Sequence, residues 1–180
     1  MTSARVAILG AVFSASLGMM GCGGGSTPPA QNPTTTQTAD KELVVRKLTV
    51  MLEHIERARR RRPADLEMLR ADVDRQDALV MSLLVALQEA TDIAFHVAAD
   101  EGWGVAASNA EAFTLLASRG VIDSELGAAL ATTVRLRNRI AHGYATLDLE
   151  RIWKELPDGL AHLERFGSAL TRWMDALPGA

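Results

Sequence analysis

The amino-acid sequence predicts an all-α domain, an antiparallel up-and-down helical bundle, and three observations carry that expectation. The chain is 48% hydrophobic but only 4% aromatic, so its apolar mass lies in Leu, Ala, Val and Met, mostly good helix formers. Strands would want more β-branched and aromatic residues. Apolar positions recur at three- and four-residue steps, the period of one helix face. The connections between these stretches are short, which suits antiparallel neighbours.

A chain of 180 residues supports one domain with a sizeable core. Its net charge of −3 excludes a bulk polyanion binder, so any nucleic-acid contact has to come from a local basic patch. Cys22, the single cysteine, excludes an internal disulfide or a cysteine-based metal cluster within one monomer. There is no Gly-rich phosphate loop, nucleophile elbow, zinc spacing or internal repeat.

Three zones follow one another. In residues 1–22, Arg5 precedes an apolar run that ends in Gly21-Cys22. A positive start, a short apolar stretch and small residues near its end describe an export signal. Cysteine after glycine resembles a bacterial lipoprotein cleavage site with Cys22 as the lipidated residue, although Met19 and Met20 depart from that pattern. Residues 23–40 are Gly, Ser, Thr, Pro, Gln and Asn with little apolar content, a composition expected of a disordered tether. Residues 41–177 are expected to form the folded domain, and every charge except Arg5 and Asp40 falls there.

The first helix of the domain is expected to start near Asp40 as its cap, with Leu43, Lys47, Val50, Met51, His54 and Ile55 at helical spacing. Pro63 closes it after the basic run Arg59-Arg60-Arg61-Arg62. A long helix over 73–99 follows, with one stripe of Leu79, Leu83, Leu87, Ala90, Ala94 and Val97. Gly102 and Gly104 break the pattern around Trp103. Ser108-Asn109-Ala110-Glu111 has the form of a capping box and opens a short helix through Ser118, ended by Gly120. Asp123 caps the next helix, which runs to about His142, with Gly143 where a helix end often takes a left-handed residue. A last helix spans about 148–173, and Pro157 is expected to kink or split it.

The chemistry concentrates in Arg-Leu-Arg-Asn-Arg-Ile-Ala-His-Gly-Tyr, residues 135–144. At about 100° per residue, Leu136 and Ile140 share an inward face, Asn138 and His142 share an outward one, and Arg137 lies between. Histidine exchanges protons near neutral pH, and a guanidinium holds phosphate oxygens and steadies charge developing on them. That pair suffices for metal-free RNA cleavage, in which the ribose 2′-hydroxyl attacks the neighbouring phosphate and DNA is spared. Such residues on an exposed helix face are most often solvated surface. One histidine is also poorly suited to act as both acid and base, which favours a symmetric dimer supplying a second copy.

Arg137, four residues, His142, one residue and Tyr144 together resemble the Arg-x4-His-x-Tyr signature of the HEPN superfamily in its HepT-like toxin branch. The likeness extends to Val-Val-Arg-Lys-Leu at 44–48, Asp92-Ile93-x-x-His96, Glu111-Ala112-Phe113-x-Leu115-Leu116 and Gly120-Val121-Ile122. The resemblance implies a homodimeric helical bundle, a metal-independent endoribonuclease without a cofactor, and a toxin whose paired motifs form one cleft. It implies Arg137 and His142 as the catalytic pair, with Asn138 supporting them. It also implies an MntA-like nucleotidyltransferase antitoxin that moves AMP from ATP onto Tyr144, the chain's single tyrosine. A bulky anion two residues from His142 would block the cleft and repel RNA phosphate.

Other groups compete for attention. Glu89, Asp92 and His96 lie at helical spacing, but a bundle metal site needs matching ligands from other helices, and no second Glu-x-x-His occurs. Asp92, with His96 as a further supporting residue, is better placed to orient or neutralise the motif arginine. Arg57 and Arg59 to Arg62 form a cluster that suits a helix C-terminus or an auxiliary RNA contact. His54 and His162 read as structural, and Trp153 and Trp173 as core or interface anchors. RNA cleavage calls for the cytoplasm, whereas residues 1–22 point to export and membrane attachment through Cys22. A start near Val44 would remove that conflict. The rival expectation is a non-catalytic, lipid-anchored HEPN scaffold.

Overall fold

The computed structural model describes residues 33–142 and 148–177, and for residues 33–40, 138, 139, 141 and 142 it describes the backbone alone. The chain divides into two units, Met1–Gln31 and Asn32–Ala180, and the described residues all belong to the second. The export-signal segment with Cys22, the tether up to residue 32 and Tyr144 lie outside the described residues.

Six helices make up the described regular structure: α1 (Pro33–Arg61), α2 (Leu66–Arg70), α3 (Val73–Asp100), α4 (Asn109–Ser118), α5 (Ser124–His142) and α6 (Leu149–Asp175). Long-range pairs give their directions. Lys47 meets Glu89 while Arg61 meets Ser82, so α1 and α3 run antiparallel. Arg62 meets Trp153 while the Cβ position of Gly167 faces Leu48, so α1 and α6 are antiparallel too. Arg165 reaches Asp123 and Gly159 faces Thr133, which sets α5 antiparallel to α6. These relations make α3 and α5 antiparallel neighbours, the arrangement that positions the motif.

The helix boundaries follow from local chemistry. Asp65, Asp72, Ser108 and Asp148 each accept from a backbone N–H three residues on, as N-caps do. Asp123 accepts from Leu126 N at 2.7 Å and opens α5 as expected. Glu111 closes the capping arrangement, although it reaches back to Ala107 N (2.6 Å) rather than to the cap residue. Gly102 (φ 65°) and Gly120 (φ 76°) end α3 and α4. At each, the glycine N–H and the next residue's N–H turn back to carbonyls of the last turn, which requires a left-handed residue.

The core is one cluster of aliphatic side chains around the fully buried Phe113 and Phe166, whose rings meet edge to face at 5.5 Å. The α3 stripe of Leu79, Leu83, Leu87, Ala90, Ala94 and Val97 is buried throughout, as its spacing predicts. On α1 the register differs from expectation. Val44, Leu48, Met51, Ile55 and Ala58 face inward, whereas Val50 is 37% exposed and Lys47 makes ion pairs. Met51 and Ile55 were shared by both possible stripes, and the packing against Gly167 of α6 selects the one through Leu48.

Three further expectations differ. Helix α1 begins at Pro33, not near Asp40, because proline at a first helical position costs no hydrogen bond and presets the backbone angle. The sequence expectation also lacked α2, a single short segment that buries Leu69 completely. Pro157 does not split α6, which runs unbroken through it. A proline at 157 has no N–H for the carbonyl of Trp153, and Arg62 Nε from α1 donates to that carbonyl at 2.9 Å.

Candidate functional site

The motif arginine extends from the C-terminal half of α5 toward α3. Gln88 of α3 receives it: its Oε1 accepts from Arg137 Nε at 3.0 Å and from Nη2 at 2.7 Å. The same amide donates through Nε2 to Asp92 Oδ1 at 2.6 Å, one turn further along α3. Lys47 of α1 in turn donates to Asp92 Oδ2 at 3.1 Å and to Glu89 Oε2 at 3.0 Å. The result is a partly buried polar ladder in which α1, α3 and α5 each contribute a charged group. Burial works against the Lys47 ammonium, but its bonds to Glu89 and Asp92 outweigh that and raise its pKa above the ordinary lysine value.

The family pattern pairs Asp92 with the motif arginine, and the structure places Gln88 between them. Asp92 is linked to Arg137 through the Gln88 amide, its carboxylate turned to Lys47 and to Gln88. His96 lies one turn beyond Asp92, with Nε2 3.1 Å from Asp100 Oδ2. Gln88 went unnoticed in the sequence, although it sits four residues before Asp92 and thus on the same face. Asn138 and His142 belong to α5 by their backbone, but their side chains, like the whole of Tyr144, lie outside the described residues. Among the described residues no three His, Cys, Asp or Glu side chains converge as metal ligands would.

Three arginines of the basic cluster at the end of α1 are engaged in holding the bundle. Arg59 bridges Glu56 and Glu164, Arg61 donates to Ser82 Oγ, and Arg62 lies over the Trp153 ring at 4.1 Å. Trp153 donates its indole N–H to the Pro63 carbonyl at 3.1 Å, and Trp173 meets Trp103 edge to face at 6.1 Å. Both tryptophans thus anchor the fold. His162 stands at the rim of a groove of about 310 Å³ between α3, α5 and α6, floored by Leu83, Leu136, Ile152 and Leu156.

Residues 51–170 match the family model described as ribonuclease HepT-like. The chain belongs to the ribonuclease HepT-like family. As a family member it is a ribonuclease of the HepT kind. It is similar to the mRNA nuclease HepT of Shewanella oneidensis, with 29% identity over 102 residues that cover 57% of this chain and 77% of that protein. Its fold resembles the tri-AMPylated HEPN toxin of the same organism, solved in complex with MNT antitoxin. The TM-score is 0.67 at 25% identity, over 72% of this chain and 97% of that one. A toxin–antitoxin structure with AMP-PNP gives a TM-score of 0.65 at 25% identity, over 71% and 97% of the two chains.

Proposed function

We propose that Arg137 and His142, supported by Asn138, are the catalytic groups of this HepT-type toxin and that it cleaves RNA without a metal. The observation that carries the reading is the clasp of Gln88 on Arg137. A guanidinium fixed against a neighbouring helix is pre-oriented for a phosphate, unlike one solvated on a helix face. The 2′-hydroxyl oxygen attacks phosphorus and gives its proton to one His142 imidazole. The P–O5′ bond breaks, the 5′-oxygen takes a proton from a second imidazole, and a 2′,3′-cyclic phosphate remains. Arg137 steadies the charge that builds on the phosphorane oxygens. The second imidazole comes from a second copy of the chain in a homodimer.

Control of this activity is read as AMP transfer from ATP to Tyr144 by an MntA-like nucleotidyltransferase. The phenolic oxygen bonds the α-phosphorus and pyrophosphate leaves. The similarity to a tri-AMPylated toxin held by MNT antitoxin supports this reading, as does the position of Tyr144 two residues from His142. The same reading sets the active protein in the cytoplasm with its RNA. N-terminal sequencing of the native protein tests it, and a lipidated Cys22 at the mature terminus would refute it.

The catalytic assignment is tested by expressing Arg137→Ala and His142→Ala beside the unmodified chain. Both are expected to abolish growth inhibition and RNA cleavage in EDTA while leaving a folded dimer, and toxicity surviving in both would refute the assignment. For Tyr144, intact mass after incubation with the antitoxin and ATP is expected to show AMP adducts that Tyr144→Phe lacks.

A further inference from the structure

We infer that Gln88 is the positioning residue of Arg137, and that it does so as a neutral amide so that the guanidinium keeps its charge for phosphate. The inference deepens the catalytic reading above and rests on it for its kinetic consequence. Its structural basis is the donor–acceptor order of the ladder. A guanidinium can only donate and an ionised carboxylate can only accept. Between Arg137 and Asp92 stands a side-chain amide, which does both without charge. The 2.6 Å contact with Asp92 claims the amide NH2, so Oε1 has to face Arg137, where it meets both Nε and Nη2. The flipped amide would set NH2 against guanidinium and oxygen against carboxylate.

Lys47 completes the device. It draws the second Asp92 oxygen away at 3.1 Å, so that carboxylate orients Gln88 while its charge is matched by an ammonium from α1. A glutamate at position 88 could grip Arg137 with the same reach, but it would cancel the cation and crowd Asp92 with like charge. An apolar residue of similar length would leave the charge intact and the geometry loose. Holding and charge can therefore be separated by two substitutions at one position.

The test uses the full chain and a single-stranded oligoribonucleotide bearing a fluorophore and a quencher. Gln88→Leu is expected to lower kcat by about ten- to hundredfold, the scale of a mispositioned catalytic group, with its KM little changed. Gln88→Glu is expected to keep more of kcat, raise KM severalfold and flatten the salt dependence of binding to the 2′-deoxy oligonucleotide, since about one phosphate contact loses its cation. Both variants should keep the helical circular-dichroism signal of the unmodified chain. Cleavage by Gln88→Leu at the unmodified rate, or identical kinetics for the Leu and Glu variants, would overturn the inference. A readout independent of activity is the Arg137 Nε–H resonance, assigned with Arg137→Lys. The clasp predicts that it is protected from solvent exchange in the unmodified chain and loses that protection in Gln88→Leu. Equal protection in both refutes the clasp. Failure of the unmodified chain to cut RNA sinks the catalytic reading instead, while this resonance still decides the role of Gln88.

Discussion

Arg62 supplies the hydrogen bond that Pro157 cannot. Pro157 lacks the N–H that would bond the Trp153 carbonyl one turn earlier, and Arg62 Nε fills that acceptor at 2.9 Å while its guanidinium lies over the Trp153 ring at 4.1 Å. Two features that look unrelated in sequence, a proline inside a helix and the last arginine of a basic run, therefore compensate one another across α1 and α6.

This compensation predicts a measurable coupling. Arg62→Ala is expected to destabilise the fold by about 1–3 kcal/mol, the cost of leaving an acceptor unpaired. In a Pro157→Ala background the backbone N–H returns, and the same change should fall to about 0.5–1 kcal/mol, the share of the cation–π contact. Urea unfolding of the four proteins closes the cycle. Strict additivity would show that Arg62 and Pro157 are independent.

Two helical glycines should respond in opposite directions. A Cβ on Gly127 would stand 2.9 Å from the Ala117 Cβ and 3.3 Å from the Phe113 carbonyl oxygen, short stiff neighbours that yield only if α4 and α5 separate. Gly127→Ala is expected to cost about 1–3 kcal/mol. A Cβ on Gly159 meets only the Thr133 methyl at 3.8 Å, an ordinary contact. Gly159→Ala should stabilise by about 0.5–1 kcal/mol through helix propensity. Thermal unfolding midpoints that move together would contradict both assignments.

His54 makes stability depend on pH on the acid side. Its Nδ1 is buried with no hydrogen-bond partner among the described residues, and its Nε2 faces Arg57 Nη1 at 3.4 Å. Burial first, and then the Arg57 charge, lower its pKa below the usual histidine value, with Glu53 pulling the other way. A native state that resists protonation binds fewer protons than the unfolded chain below about pH 6.5. The His54 contribution is thus complete above that value and is lost as pH falls through the folded pKa. Proton NMR, with His54→Phe for assignment, should give a midpoint below 6.5, and a midpoint at or above it would contradict this.

Lys47 acts at the opposite end of the scale. Its ion pairs with Glu89 and Asp92 are partly buried, so Lys47→Met should cost about 1–2 kcal/mol, between the values for exposed and buried pairs. The raised pKa of Lys47 means that this contribution is present below about pH 10.4 and lost as pH rises through the folded value. The difference in urea midpoint between the two proteins should hold steady from neutral pH to about 9 and shrink above about 10.4. A difference that grew with alkaline pH would rule the ion pairs out.

Much of the fold was legible because its signals are local. Caps at Ser108 and Asp123 act on a backbone N–H three residues away, and the α3 stripe from Leu79 to Val97 is periodic over about five turns. The register of α1 was not legible, since Val44, Leu48 and Val50 are all aliphatic and only contact with Gly167 and α3 distinguishes them. At the site, Arg137 stood out by its spacing to His142, whereas Gln88 carries no motif of its own. Its significance arises from a partner 49 residues away.

The sequence by itself determined the long helices, the caps at Ser108 and Asp123, the Arg-x4-His-x-Tyr motif and the family, because each is written in residues close along the chain or in their order. Only the tertiary structure decided what the motif arginine touches, where the basic run spends its charges and how α6 survives Pro157. Those outcomes depend on which unpaired donors and acceptors packing brings within about 3 Å of one another, and no spacing along one chain specifies that.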